Sequence, residues 1–447
     1  MRSLLPLHYS KRSLLIGVCV IIAVSLSLAL IRFFAFPQFP TSKAAPPVIS
    51  DEGLEKFLLR SYWQRPIALQ GVPPPSYSTL EASLRPEACG SCHKQQYNDW
   101  KESLHSRAMG PGPWGQIIDL ASNSLEEAVQ CMTCHAPLSE QLPALPRSTS
   151  TEAAYEKNPH LDQVLQSRGI TCAACHVRQH QRFGPPKIKG DAANTYPRGM
   201  PNHGGFQATP YFERAEFCKD CHQFDPDNAL LVNGKPIQDT YGEWKNSIWG
   251  KGGAACQDCH MPLRRHLWRG IHDRDWVKNG VQINANVEQS KSRAKQKIIA
   301  TLEITNSAVG HKFPTYTTPK VFFRASLLDA SGKNLPGTLK QQTIGWDVRF
   351  ENGEWKEYFD TRISPGATFK QSFEWAPSDK VRKLRVWVEV HPDHFYHVYF
   401  YPAYLKRTDL SIEGRQLVKR ALEESGKTPY VLFEHVFPLK NSSAAER

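Results

Sequence analysis

The sequence predicts a chain in three parts: an N-terminal transmembrane helix, a middle domain of short helices and loops, and a C-terminal all-β sandwich in the immunoglobulin style. Three observations carry this. Residues 13–31 (SLLIGVCVIIAVSLSLALI) contain no charged side chain, and the run is near the length a helix needs to cross the hydrocarbon core. Residues 89–260 repeat one short cysteine motif and show little sustained apolar periodicity. Beyond residue 283 apolar residues alternate with period two. The expected boundaries are a cytoplasmic N-terminus over 1–12, an anchor over 13–35, a linker over 36–80, the middle domain over 81–282, the sandwich over 283–402 and a helical tail over 403–447.

The apolar run is longer than the core of a secretory signal, which is about 7–15 residues. Arg2, Lys11 and Arg12 precede it and Arg32 follows, a modest bias toward a cytoplasmic N-terminus. Cys19 lies within the run and packs against lipid or a neighbour on this reading. Pro37–Ser50 and Val72-Pro-Pro-Pro75 read as extended, semi-rigid linker.

The repeated motif is Cys-x-x-Cys-His. It occurs at Cys89/Cys92/His93, Cys131/Cys134/His135, Cys172/Cys175/His176, Cys218/Cys221/His222 and Cys256/Cys259/His260. Random placement would yield on the order of 0.01 such pentapeptides in a chain of this composition. In c-type haem attachment two thiols add across the haem vinyl groups, and the adjacent imidazole reaches the iron. Zinc ribbons do not require a histidine after every second cysteine. A disulfide framework has no reason to repeat one spacing with the same following residue. The sequence therefore predicts five covalently bound haem c groups, attached outside the cytoplasmic membrane. Successive first cysteines stand 42, 41, 46 and 38 residues apart, one haem per short hairpin or loop.

Lys and Arg number 55 against 43 Asp and Glu, a formal charge of +12. Five haems would add about ten propionate carboxylates, so the surplus gives no support to nucleic-acid binding. No nucleophile triad, nucleotide-binding loop or metal-cluster pattern supports another enzyme class, and no catalytic side chain is assigned.

In the last third, Ile298, Ala300, Leu302 and Ile304 alternate with polar residues, as do Ile344, Trp346, Val348 and Phe350, and Leu384, Val386, Val388 and Val390. Asn352-Gly353 reads as a tight hairpin turn and Pro365-Gly366 as another. An amphipathic helix is expected near Asp409 to Ser425.

Iron with one side-chain ligand can bind a substrate, whereas iron with two mainly passes electrons. Supply of second ligands is ample: outside the motifs and His8 stand His105, His160, His180, His203, His266, His272, His311, His391, His394, His397 and His435. Trp100-x-x-Ser103-x-His105, Asn202-His203 ahead of Glu216-Phe217-Cys218, CQDCHMP followed by His266-x-Trp268-x-Gly270-x-His272, and Gly310-His-Lys-Phe-Pro314 resemble the multihaem cytochrome c family related to the tetrahaem electron acceptor of hydroxylamine oxidoreductase. The resemblance covers roughly residues 85–320. It implies that His105, His203, His266, His272 and His311 are distal haem ligands, without implying which iron each serves. His160, His180, His391, His394 and His397 read as structural, and distal Met109 or Met200 is less expected. Trp100-Lys-Glu-Ser103-Leu-His105 also recurs as Trp244-Lys-Asn-Ser247-Ile-Trp249, with tryptophan in place of histidine.

These readings predict a membrane-anchored periplasmic cytochrome, single-pass in the inner membrane, that relays electrons between redox partner proteins or the quinol pool. Two alternatives compete with it. One is an oxidoreductase acting on a small nitrogen or sulfur compound at a five-coordinate haem. The other is a quinol-oxidising anchor subunit.

Overall fold

A computed structural model describes residues 62–146, 155–186, 206–224, 231–289 and 297–440. The motifs sit on short helices: α1 (Pro86–Gly90), α4 (Leu125–His135), α5 (Cys172–His176), α6 (Glu216–His222) and α8 (Cys256–His260). Between them run α2 (Lys94–Glu102), α3 (Pro111–Asn123) and α7 (Thr240–Lys245), and α9 (Ile412–Ser425) follows much later. Their brevity has a compositional cause. Two small apolar clusters, one around Tyr62, Trp63, Tyr211 and Phe212 and one around Met109, Ile117 and Met132, are the cores of this part. Flat haem macrocycles would supply the apolar bulk that long amphipathic helices otherwise provide.

The expectation of a membrane-spanning helix is overturned, and with it the single-pass inner-membrane location and the anchored fold class; association with a membrane is not shown. Among the described residues no helix is long and apolar enough to cross a membrane. The longest of those named, α9, spans Ile412–Ser425 and is about 21 Å long at 1.5 Å per residue, short of the roughly 30 Å hydrocarbon core. The segment 13–35, on which the expectation rested, lies outside the described residues, as does Cys19.

Two antiparallel sheets follow. Strands β1 (Val281–Gln289), β2 (Ile298–Asn306) and β6 (Thr368–Trp375) form one, in the order β6-β2-β1. The second contains β3 (Lys320–Leu328), β4 (Lys340–Glu351), β5 (Glu354–Asp360), β7 (Lys383–His391) and β8 (Tyr430–Pro438), in the order β5-β4-β3-β7-β8. Period two dictates the packing. Ile298, Ala300, Leu302 and Ile304 of β2 meet Val321, Phe323, Val386 and Val388 of the facing sheet in one core, each large side chain contributing roughly 1.5–3 kcal/mol through burial. Asn352 and Gly353 both take positive φ, 56° and 84°, the primed turn that matches strand twist. The pattern fails at Phe350, which is 50% exposed beside that turn.

The sheet system runs past the expected limit of 402. The tail over 403–447 does hold α9, but its last described stretch is β8, which pairs with β7 from Lys383↔Pro438 to Val390↔Tyr430. All described residues belong to one compact unit, so haem segment and sheets are a single body.

Lys320 is 2% exposed, and its Nζ donates to the carbonyls of Thr317 at 2.8 Å and Trp346 at 2.7 Å. Burial pushes its pKa down to about 8 from the ordinary 10.5. The folded chain therefore binds fewer protons than the unfolded chain between those values, and stability rises with pH across that window. Relative to a Lys320→Met variant, the wild type should gain up to roughly 3 kcal/mol on going from pH 7 to pH 10.5, read from guanidinium unfolding of both. A difference that does not move with pH would show that Lys320 keeps an ordinary pKa.

Candidate haem-binding site

Helical geometry puts the first cysteine, the second and the histidine of each motif on neighbouring positions of one turn. In the first motif the amides of Cys92 and His93 both donate to the Cys89 carbonyl, at 3.2 and 2.9 Å. None of the ten motif cysteines is in a disulfide, which leaves each sulfur for a haem thioether. Cys89 lies beside Cys172, Cys134 beside Cys221, and Cys218 beside Cys256. Cys175 is close to both Cys218 and Cys221. The motifs are thus contiguous, with the first against the third, the third beside the fourth, and the fourth touching both the second and the fifth. Arg65 donates to the Cys134 sulfur at 2.8 Å.

The histidine rings are oriented by backbone. Nδ1 of His135 lies 2.8 Å from the Ala108 carbonyl, Nδ1 of His176 2.8 Å from that of Phe183, and Nδ1 of His260 2.8 Å from that of Arg269. His266 does the same to Arg264 at 3.1 Å and His311 to Lys312 at 2.9 Å. A carbonyl can only accept, so in each ring Nδ1 carries the proton and Nε2 presents its lone pair, the arrangement a metal-binding imidazole requires. Burial drives the pKa of His222, His266 and His311 down to about 4, and that of His105 to about 3, with the nearby His222 adding to the last.

Three imidazole pairs include a motif histidine, whereas a fourth, His391 and His394 with ring centres 6.0 Å apart, includes none. The ring centres of His176 and His266 are 6.1 Å apart, those of His105 and His222 6.3 Å, and those of His260 and His311 6.4 Å with planes only 8° from parallel. A metal–imidazole bond is about 2 Å long, so two rings in line on opposite sides of one ion have centres about 6 Å apart. The spacing alone does not mark a haem, but where one ring belongs to a Cys-x-x-Cys-His motif the two residues would be placed to hold one haem iron.

Of the expected distal ligands, His105, His266 and His311 are therefore brought to motif histidines. His272 is not: its Nε2 lies 3.0 and 3.1 Å from the two Asp393 carboxylate oxygens. His203 lies outside the described residues. Among the described residues no imidazole faces His135 as in the three pairs. His180 is a loop anchor, its Nε2 3.0 Å from the Gly71 carbonyl. His160 is exposed, His391 meets Glu389 at 3.1 Å and His397 the Ser425 hydroxyl at 3.1 Å. Met109 is buried in its apolar cluster, and Met200 lies outside the described residues. The carboxylates of Asp99 and Glu243, which contact the His266 and Lys312 amides at 3.0 and 3.1 Å, carry no motif of their own and were not among the candidates.

Residues 75–281 match the family model described as Cytochrome c552. The "Cytochrome c nitrite reductase subunit NrfA" of Nitratidesulfovibrio vulgaris is 26% identical over 200 residues, 40% of this chain and 35% of that one. A "Cytochrome c-552" of Bacteroides thetaiotaomicron is 24% identical over 186 residues, 40% of this chain and 34% of that one. The chain spans about a third of the length of these relatives. Among solved structures, a penta-heme cytochrome c552 from Thermochromatium tepidum aligns over 81% of this chain and 100% of its own with TM-score 0.54 and 18% identity, a likeness of fold. The link to hydroxylamine oxidoreductase rests on motif resemblance alone.

Proposed function

We propose, from the premise that this chain is a multihaem c-type cytochrome carrying five covalently bound haem c groups, that it relays electrons through them on the periplasmic side. The observation that carries the reading is the set of three imidazole pairs at 6.1 to 6.4 Å. Bound there, the haems supply one-electron redox chemistry. The chain's part is to hold His176 opposite His266, His222 opposite His105 and His260 opposite His311, closing those positions to substrate. The neighbouring cysteines bring the five motifs within one connected array, which favours transfer from one to the next. The electron spin resonance spectrum of the oxidised protein tests this: the three paired sites should contribute only low-spin iron. High-spin iron from any of them would end the reading.

One observation favours a second reading, an oxidoreductase of a small nitrogen or sulfur compound. Among the described residues His135 faces no imidazole, and a relative carries the name nitrite reductase. In that case the same spectrum should hold a high-spin signal that cyanide converts to low spin, and His135→Ala should alter that signal while those of the three paired sites stay unchanged.

A further inference from the structure

The echo between residues 100–105 and 244–249 proves to be longer in three dimensions. Tyr97-x-Asp99-Trp100-Lys-x-Ser103 and Tyr241-x-Glu243-Trp244-Lys-x-Ser247 make the same set of bonds in different places. Ser103 Oγ donates to the Trp100 carbonyl at 2.7 Å, and Ser247 Oγ to that of Trp244 at 2.7 Å. The tyrosine ring leans on the tryptophan ring in both, at 5.8 and 5.3 Å. Trp100 Nε1 donates to the Ile170 carbonyl at 2.7 Å and Trp244 Nε1 to the Ala254 carbonyl at 2.9 Å. Each acceptor lies two residues before the first cysteine of a motif, Cys172 or Cys256.

The acidic position completes the parallel. Asp99 accepts from the His266 amide at 3.0 Å and from Arg265 Nε and Nη2 at 2.7 and 2.6 Å. Glu243 accepts from the Lys312 amide at 3.1 Å and from Arg362 Nη1 at 3.0 Å. So a single helix grips both sides of one imidazole pair. Through Trp100, α2 holds the motif of His176, and through Asp99 it holds the loop of His266. Through Trp244, α7 holds the motif of His260, and through Glu243 it holds the loop of His311. Both carboxylates are nearly buried, 6% and 4% exposed, a placement that costs free energy unless each is paired.

We propose that Asp99 and Glu243 are positioning residues, each fixing a loop-borne histidine at the distance its iron requires. The proposal rests on the axial-pair reading above. Its physical basis is that His266 and His311 sit in irregular backbone, where ordering costs roughly 1–2 kcal/mol per residue. A carboxylate accepting from the amide of the histidine, or of the residue beside it, removes that freedom before the metal bond forms. Partners of this kind typically change metal-ligand affinity about 10–100-fold. The departure between the copies fits the same scheme. His105 follows Ser103 and faces His222, whereas Trp249 occupies the matching place in the second copy and packs within 3.7 Å of where a side chain on Gly310 would begin.

The test uses the full haem-loaded chain and reads spin state and the rate of cyanide binding, with exogenous imidazole as rescue. Asp99→Ala and Glu243→Ala should each make one haem about 10–100-fold more open to cyanide, with the low-spin spectrum restored by imidazole. Asp99→Asn, which keeps an oxygen for the His266 amide, should return most of the way to wild type. If Asp99→Ala does not fold, Asp99→Leu/Arg265→Leu removes both charges together and should still release His266. His266→Ala and His311→Ala separate the two claims. If they leave every iron low-spin, the axial-pair reading fails. If they open one haem each while the Asp99 and Glu243 variants bind cyanide at the wild-type rate, the carboxylates only neutralise arginines and the positioning proposal is overturned.

Discussion

Replacing Arg362 with alanine should destabilise the protein by about 3–5 kcal/mol, the usual penalty for stranding a buried charge. Arg362 is 2% exposed, and its guanidinium lies 4.4 Å above the Trp346 ring. Nε and Nη2 donate to the two oxygens of Asp360 at 2.8 Å each, and Nη1 reaches Glu243 at 3.0 Å. Burial alone would raise the Asp360 carboxyl, yet Arg362 holds it far below the usual carboxylate range. For Glu243 burial wins and raises the pKa, with Arg362 and Lys312 opposing it. Without Arg362, Glu243 keeps Lys312 and the hydroxyl of Thr315, and one of the contacts that tie the haem segment to the sheets is lost. Guanidinium unfolding followed by tryptophan fluorescence would measure the change. A loss below about 1 kcal/mol, the scale of an exposed pair, would mean that water already screens this guanidinium.

His311→Ala should convert one haem from low to high spin while all five stay covalently attached. His311 faces His260 at 6.4 Å, and its Nδ1 is committed to the Lys312 carbonyl, so Nε2 is the only nitrogen left for a metal. The loop is held from both sides: Asn306 Nδ2 donates to the His311 carbonyl at 2.8 Å, and Glu243 receives the next amide. A ring held this firmly leaves a hole when it is removed. Added imidazole should enter that hole and restore the low-spin spectrum. Proteolysis between haem segment and sheets should also quicken, since one of their attachments is gone. An unchanged spectrum would show that the sheets do not close a haem through His311.

Why some of this was legible and some not follows from the range of the signals. The five motifs are local, and so are the β2 and β7 alternations and the Asn352-Gly353 turn; each is decided by residues a few positions apart. Strand β8 was missed because it lies at a sheet edge. Its burial is irregular, with Glu434, His435 and Val436 exposed, so its sequence lacks a clean alternation. The histidine partners were beyond reach for a different reason. His105 and His222 are separated by more than a hundred residues, and nothing in either neighbourhood names the other. His272 shows the converse error: a histidine at a promising spacing was claimed by Asp393, a residue of the distant sheet system. The repeat of tryptophan and serine was visible, but the acid between them was not, because Asp99 in one copy is Glu243 in the other and the two bind different arginines.

The packing of α9 on α3 sets an order in time. Gly115 of α3 has no room for a side chain because Leu417 and Val418 press against it, and Gly112 likewise meets the Tyr401 hydroxyl. The Ser411 amide reaches Asp119 at 3.1 Å across 292 residues of sequence. The cover over the helix beside the second motif therefore comes from residues 401–418, far along the chain from the helix they cover. In a chain exported N-terminus first, all five attachment sites reach the outer side of the membrane before that cover does. Long-range closure of this kind is slow compared with local helix formation, so the covalent chemistry has an interval in which to act on exposed cysteines. Residues 401–425 then serve as a closing clasp over α3.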